Sequence, residues 1–260
     1  MSIRKIWRVG VISAIATMLA VQPSSAVSLG ADYVFSVFGL PAMKIDIDWA
    51  SKGNRYKIDG KLRSAGIGRV FGNIKGDLSV DGATTDQGWQ PQNFAMNYKG
   101  KDPWQGQAQW SGQTLTMLQT KPDNRRKGGS AWIPLDGPAR NGFVDLFTGM
   151  VIESDTAGGV CGRTLDLFDG EMRMTLAMSA PKTVNLSIKG APKKGVQCQA
   201  RFTPVAGYST KSSSRRHLAK QTIQIVWANP VGHYWVPASA VIPHKDATLR
   251  IKASRLYGKP

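Results

Sequence analysis

Asp46 and Asp48 stand two residues apart in the run Met43-Lys44-Ile45-Asp46-Ile47-Asp48-Trp49. Its strict alternation is that of a half-buried strand, so both carboxyl groups leave on one face. A pair of carboxylates so placed is the minimum equipment of a glycoside hydrolase, one as acid and the other as base or nucleophile. The plainer expectation is the wet face of a strand. Asp166 and Asp169 flank a hairpin, in which Asp169-Gly170 supplies the turn. Of the three histidines, His217, His233 and His244, none has zinc-ligand spacing with another histidine or a cysteine. There is no Gly-x-Ser-x-Gly elbow and no Walker loop, and Gly66-Ile67-Gly68 lacks the strand–helix setting of a dinucleotide fingerprint. No catalytic residue, metal site or cofactor is therefore assigned, and the chain is read as a non-enzyme.

The two cysteines, Cys161 and Cys198, are expected to form one disulfide, because the chain carries an export signal. Arg4, Lys5 and Arg8 precede a short apolar run, Val9 to Val21, and Pro23-Ser24-Ser25-Ala26 offers small residues for cleavage. Residues 1–26 are read as a signal peptide and 27–260 as a single β-rich domain in the periplasm.

The formal charge is +17, of which the leader supplies three, so residues 27–260 carry +14. From Lys193 onward twelve Lys or Arg face one acid, Asp246. A basic C-terminal portion of this size points to an anionic partner, in that compartment phospholipid headgroups, lipopolysaccharide or an acidic polymer and not nucleic acid. The candidate contacts are Arg215, Arg216, Lys220, Arg250, Lys252 and Arg255.

The elements that must position these residues are mostly strands. Glutamate occurs only at Glu153 and Glu171, and glycine is frequent, with 28 residues. Alternating runs recur at Tyr33–Val37, Met43–Trp49, Tyr56–Leu62, Ile74–Val80, Phe94–Tyr98, Trp104–Trp110, Met172–Met178, Val184–Ile188, Val196–Phe202 and Ile223–Trp227. Asp81-Gly82 and Ser111-Gly112 read as turns, Ser64 to Phe71 as a bend or single helical turn, Lys121 to Ser130 as a basic loop and Ser209 to Ser214 as a second loop. Phe143, Val144, Leu146, Phe147, Met150 and Val151 recur at helical spacing, which predicts one helix near Asn141 to Glu153. The expected fold is mainly β: a large curved antiparallel sheet, an open or half barrel, wrapped around that central helix. A helix fills such a concavity only in part. An apolar cavity lined by Trp104, Trp110, Met172, Met174, Met178, Phe143 and Phe147 is the candidate ligand site.

Two pieces of the second half carry a resemblance. Cys161-Gly162-Arg163-Thr164-Leu165-Asp166-Leu167-Phe168-Asp169-Gly170 is followed by Cys198-Gln199-Ala200-Arg201-Phe202-Thr203-Pro204-Val205-Ala206-Gly207-Tyr208. With Phe38-Gly39-Leu40-Pro41 and Ser64-Ala65-Gly66-Ile67, they resemble an exported proteobacterial family known as domain of unknown function 3108. The resemblance implies a shape similar to the lipoprotein-carrier half-barrels and assigns no catalytic residue. The expected function is a non-catalytic periplasmic cell-envelope protein that binds a lipid, acyl chain or lipoprotein in the concavity. The alternatives are an envelope glycan hydrolase or a structural module that binds another protein along an open sheet edge.

Overall fold

The computed structural model describes residues 26–70, 72–123 and 129–260. The expected leader lies outside them except for Ala26, as do residues 124–128 of the basic loop.

Seven strands follow one another as an antiparallel meander: β1 (Val27–Val37), β2 (Leu40–Lys52), β3 (Arg55–Ser64), β4 (Lys75–Thr85), β5 (Gly88–Lys99), β6 (Trp104–Ser111) and β7 (Thr114–Lys121). β2, β3 and β6 alternate as their sequences require. Ile47 and Trp49 of β2 face inward while Asp48 is exposed, and Tyr56 and Ile58 of β3 pack beside them. The second half adds short β8 (Trp132–Ile133), β9 (Val144–Asp145) and β10 (Ile152–Glu153), helix α1 (Ala157–Cys161), then β11 (Thr164–Phe168), β12 (Arg173–Asn185), β13 (Lys194–Ala206), β14 (Tyr208–Ser209), helix α2 (Ser213–Leu218), β15 (Thr222–Val231), β16 (Tyr234–Pro243) and β17 (Thr248–Lys259).

One sheet runs from β7 through β1, crosses to β17, and continues through β16, β15, β13, β12 and β11 to β9. It is not closed, but its ends approach each other. Thr114 of β7 forms a β-bridge with Asn141, and the Gly142 N–H donates to the Gln113 carbonyl at 3.0 Å. Curling in this way protects edges that an open sheet of this size would expose.

The predicted central helix does not form. Val144–Asp145 pairs in parallel with Leu167–Phe168, and Ile152–Glu153 pairs with Trp235–Tyr234. Between them the chain makes a turn organised by Asp145, whose Oδ1 accepts from the Phe147 N–H at 2.9 Å and the Thr148 N–H at 3.0 Å. A short polar side chain that captures the following N–H groups competes with helix propagation. Gly149 has no room for a side chain either: a Cβ there would stand 2.2 Å from Leu167 Cδ2. The helical spacing arises because this plug is packed from several directions. Trp49 Nε1 donates to the Phe147 carbonyl at 3.0 Å, and Phe143 lies among Trp110 and Phe168.

Three smaller expectations are also corrected. Asp81-Gly82 lies within β4, at a register shift, and not in a turn. Gly82 is needed because the Gln90 carbonyl and the Tyr56 ring occupy the space of a Cβ. Val184 continues β12 after an irregularity at Ala180 (φ 53°), and Leu186 and Ile188 lie beyond that strand. Part of the loop expected at Ser209 to Ser214 belongs to α2, capped by Ser212. The bend after Ser64 is a 3-10 turn, Gly66–Arg69.

Cys161 and Cys198 form the expected disulfide, fixing α1 onto β13 with Cα atoms 5.3 Å apart. The interior falls into two apolar clusters. The larger lies inside the β1–β7 wall and includes Trp49, Phe94, Trp110, Phe143 and Phe168. The other lies under α1 and includes Cys161, Met172, Met174, Met178 and Trp227.

Candidate functional surface

Six of the seven residues expected to line a cavity are buried in these clusters or at their border: Trp104, Trp110, Phe143, Met172, Met174 and Met178. Phe147 is half-buried. None lines the four hollows described on the surface. The small residues between the two tryptophans make room for Trp104 itself, because a Cβ on Gly106 would sit 2.2 Å from its ring. The same ring roofs Gly170, and its Nε1 donates to Glu171 at 3.0 Å.

Asp46 and Asp48 share an outer hollow with Asp59 and Asp77. Cross-strand chemistry partners them: Arg63 pairs with Asp46, Lys57 with Asp59 at 2.9 Å, and Tyr257 donates to Asp48. Among the described residues no three His, Cys, Asp or Glu side chains converge as a metal set. Asp169 shapes its turn as expected, accepting from the Glu171 and Met172 N–H groups at 3.0 and 2.8 Å. Asp166 receives the Arg173 guanidinium in two parallel bonds at 2.9 and 2.6 Å, and Arg173 also donates to the Ala139 carbonyl. His233 stacks on Tyr234, with Glu153 at 3.9 Å.

Asp145 is a buried carboxyl that residue spacing does not reveal. It is fully enclosed, and Thr148 Oγ1 donates to its Oδ2 at 2.5 Å while standing 2.9 Å from the Tyr56 hydroxyl. Burial pushes its pKa up to about 6, against the lowering effect of the Thr148 and Phe147 hydrogen bonds. Its position inside the plug makes it an organiser of the turn.

The basic candidates separate. Arg250 and Lys252 are exposed on the outer face of β17, and Arg216 and Lys220 are exposed at the end of the 208–221 segment. Arg216 donates to the Thr210 carbonyl at 2.6 Å. Arg215 is half-buried and close enough to Asp169 to act on its carboxyl, which burial otherwise raises. Arg255 lies over the Tyr257 ring at 5.1 Å, opposite Asp32.

Register brings in residues that sequence spacing concealed. Lys99 of β5 pairs with Lys75 of β4, Lys75 with Arg63 of β3, and Arg63 with Lys44 of β2. Lys44 is opposite Val34, and Val34 is opposite Lys252. All five cations are exposed, so a basic row crosses the outer face at one rim of the sheet. In the chain Lys44, Arg63, Lys75, Lys99 and Lys252 are far apart; the strand registers bring them abreast.

No family model and no curated protein matches the chain. A solved structure, a β-barrel-like protein of domain of unknown function DUF1849 from Brucella abortus, is similar over 90% of this chain and 98% of its own, at 9% identity and a TM-score of 0.49. No family model places the chain in domain of unknown function 3108.

Proposed function

We propose that the chain is a non-catalytic exported cell-envelope protein whose basic rim binds an anionic envelope surface. The observation that carries this reading is the row Lys99–Lys75–Arg63–Lys44, continued by Lys252 and Arg250. Cations aligned across neighbouring strands, about 4.8 Å apart, present a row of positive charge, interrupted at Val34 of β1, to phosphate groups. Each charge that reaches an anionic lipid surface is worth about 1 kcal/mol. The signal peptide, the disulfide and the resemblance to domain of unknown function 3108 accord with an envelope role. Sheltering an acyl chain or lipoprotein inside would require the two packed cores to open.

The test is cosedimentation of the mature chain with phosphatidylglycerol vesicles, and retention on immobilised polyphosphate, over a salt series. Binding that fades as salt rises supports the reading, since exposed charges are screened over about 8–10 Å. Failure to bind either surface at low salt overturns it.

A further inference from the structure

Four large apolar side chains stand out as exposed among the described residues: Phe38 (73%), Leu40 (52%), Val70 (83%) and Ile133 (37%). All four sit on the rim that carries the basic row. Phe38 and Leu40 form the β1–β2 tip, where Val37 meets Leu40 on one side and Leu249 on the other. Val70 follows the 3-10 turn, which is clamped to the start of β2: the Ala65 N–H donates to the Ala42 carbonyl at 2.9 Å, and Gly68 has no space for a Cβ above that carbonyl. Ile133 accepts at its carbonyl from Gly207, which packs on the Glu171 backbone beside Trp104.

The tip is built at a cost. Phe38 has φ 52°, a left-handed conformation that bulky residues avoid, followed by Gly39 at φ 78°. A protein that needed only a tight turn would place a small polar residue there. Around these apolar points lie Arg69, Lys44 and Lys75, all exposed. The acids on the same rim include Asp46, engaged by Arg63, Asp246, engaged by Lys245 at 2.7 Å, and exposed Asp102.

We propose that this rim docks on a lipid bilayer with anionic headgroups, with Phe38, Leu40 and Val70 entering the interface and the Lys–Arg row lying on the phosphates. The proposal rests on the anionic-surface reading and names the bilayer as the surface. Projecting apolar side chains flanked by cations combine the two forces that hold a protein on an anionic membrane, apolar burial and headgroup attraction. A soluble polyanion would use the cations and leave the apolar points in water.

The test uses the mature disulfide-bonded chain. Leu40→Cys labelled with an environment-sensitive fluorophore should shift to the blue on phosphatidylglycerol-containing vesicles and be quenched by spin labels on the lipid chains. The same label on Ser111→Cys, at the end of β6 on the opposite rim, should do neither. Phe38→Ser with Val70→Ser should weaken vesicle binding by about tenfold to a hundredfold and leave polyphosphate binding unchanged. Salt-sensitive vesicle binding with an aqueous label at position 40 and an undiminished double variant would overturn membrane insertion while sparing the anionic-surface reading. Loss of both vesicle and polyphosphate binding in the unmodified chain would overturn both.

Discussion

The Tyr257 hydroxyl reaches across Gly30 and donates to Asp48 Oδ1 at 2.5 Å. Gly30 of β1 is opposite Tyr257 of β17 on one side and Asp48 of β2 on the other. The bond therefore ties three strands at the junction of the two halves of the sheet. A Cβ on Gly30 would lie 2.1 Å from the tyrosine ring. Burial first, and Asp48 after it, hold the Tyr257 hydroxyl in its protonated form, so it remains a donor throughout ordinary pH.

Gly30→Val is expected to lower stability by about 1–3 kcal/mol, because the ring must leave and the packing over the junction is lost. Tyr257→Phe should cost about 1 kcal/mol, the ordinary net value of one hydrogen bond. Urea unfolding of the two variants against the parent measures both. A neutral Gly30→Val would show that the tyrosine does not hold this position.

Asp145 gives stability a specific pH dependence. Its folded pKa, about 6, lies above the ordinary carboxyl value of 3.8. The folded state thus keeps its proton where the unfolded state has lost it. Stability from this group is full below about pH 4 and falls as pH rises toward 6, by up to about 3 kcal/mol. In Asp145→Asn that slope should vanish, whatever the absolute stability. Denaturation midpoints at closely spaced pH values decide it; an unchanged slope in the variant would assign the effect elsewhere.

The Cys161–Cys198 bond closes 37 residues of chain. Its loss in a Cys161→Ala, Cys198→Ala variant is expected to cost about 3–4 kcal/mol. The cost should fall on the cluster under α1, seen as early loss of hydrogen-exchange protection in β12 and β13 while β2 to β4 remain protected.

Lys44→Glu with Lys75→Glu reverses two members of the basic row without touching a core. Each reversal should weaken binding to phosphatidylglycerol vesicles by roughly fivefold or more at low salt. Thermal midpoints should stay nearly constant, because both side chains are exposed. Equal binding by the variant would remove the row from the interface.

The wall was legible wherever burial is one-sided. Met43 to Trp49 and Trp104 to Trp110 alternate because one face is wet, and both runs are strands. The plug at 141–153 was misread because apolar residues packed on several sides mimic a helical stripe; what decides the turn is one carboxyl, Asp145, and Gly149. Asp81-Gly82 has the composition of a turn, but Gly82 is small to admit Tyr56, a contact that local sequence does not reveal. The basic row was invisible for a different reason. Lys44, Arg63, Lys75 and Lys99 are separated in the chain by hairpins, and pairing register alone brings them abreast. Arg215 acts on the Asp169 carboxyl and Arg255 lies over the Tyr257 ring, relationships that charge counting does not reveal.

β1 pairs with β17, so the seam joining the two halves unites segments more than two hundred residues apart. The meander β1–β7 can zip locally as soon as it is available, but its first strand keeps a raw flank until the final strand arrives. Folding therefore has an order: early hairpins wait half-dressed, and one late stitch closes the seam between the two halves of the sheet.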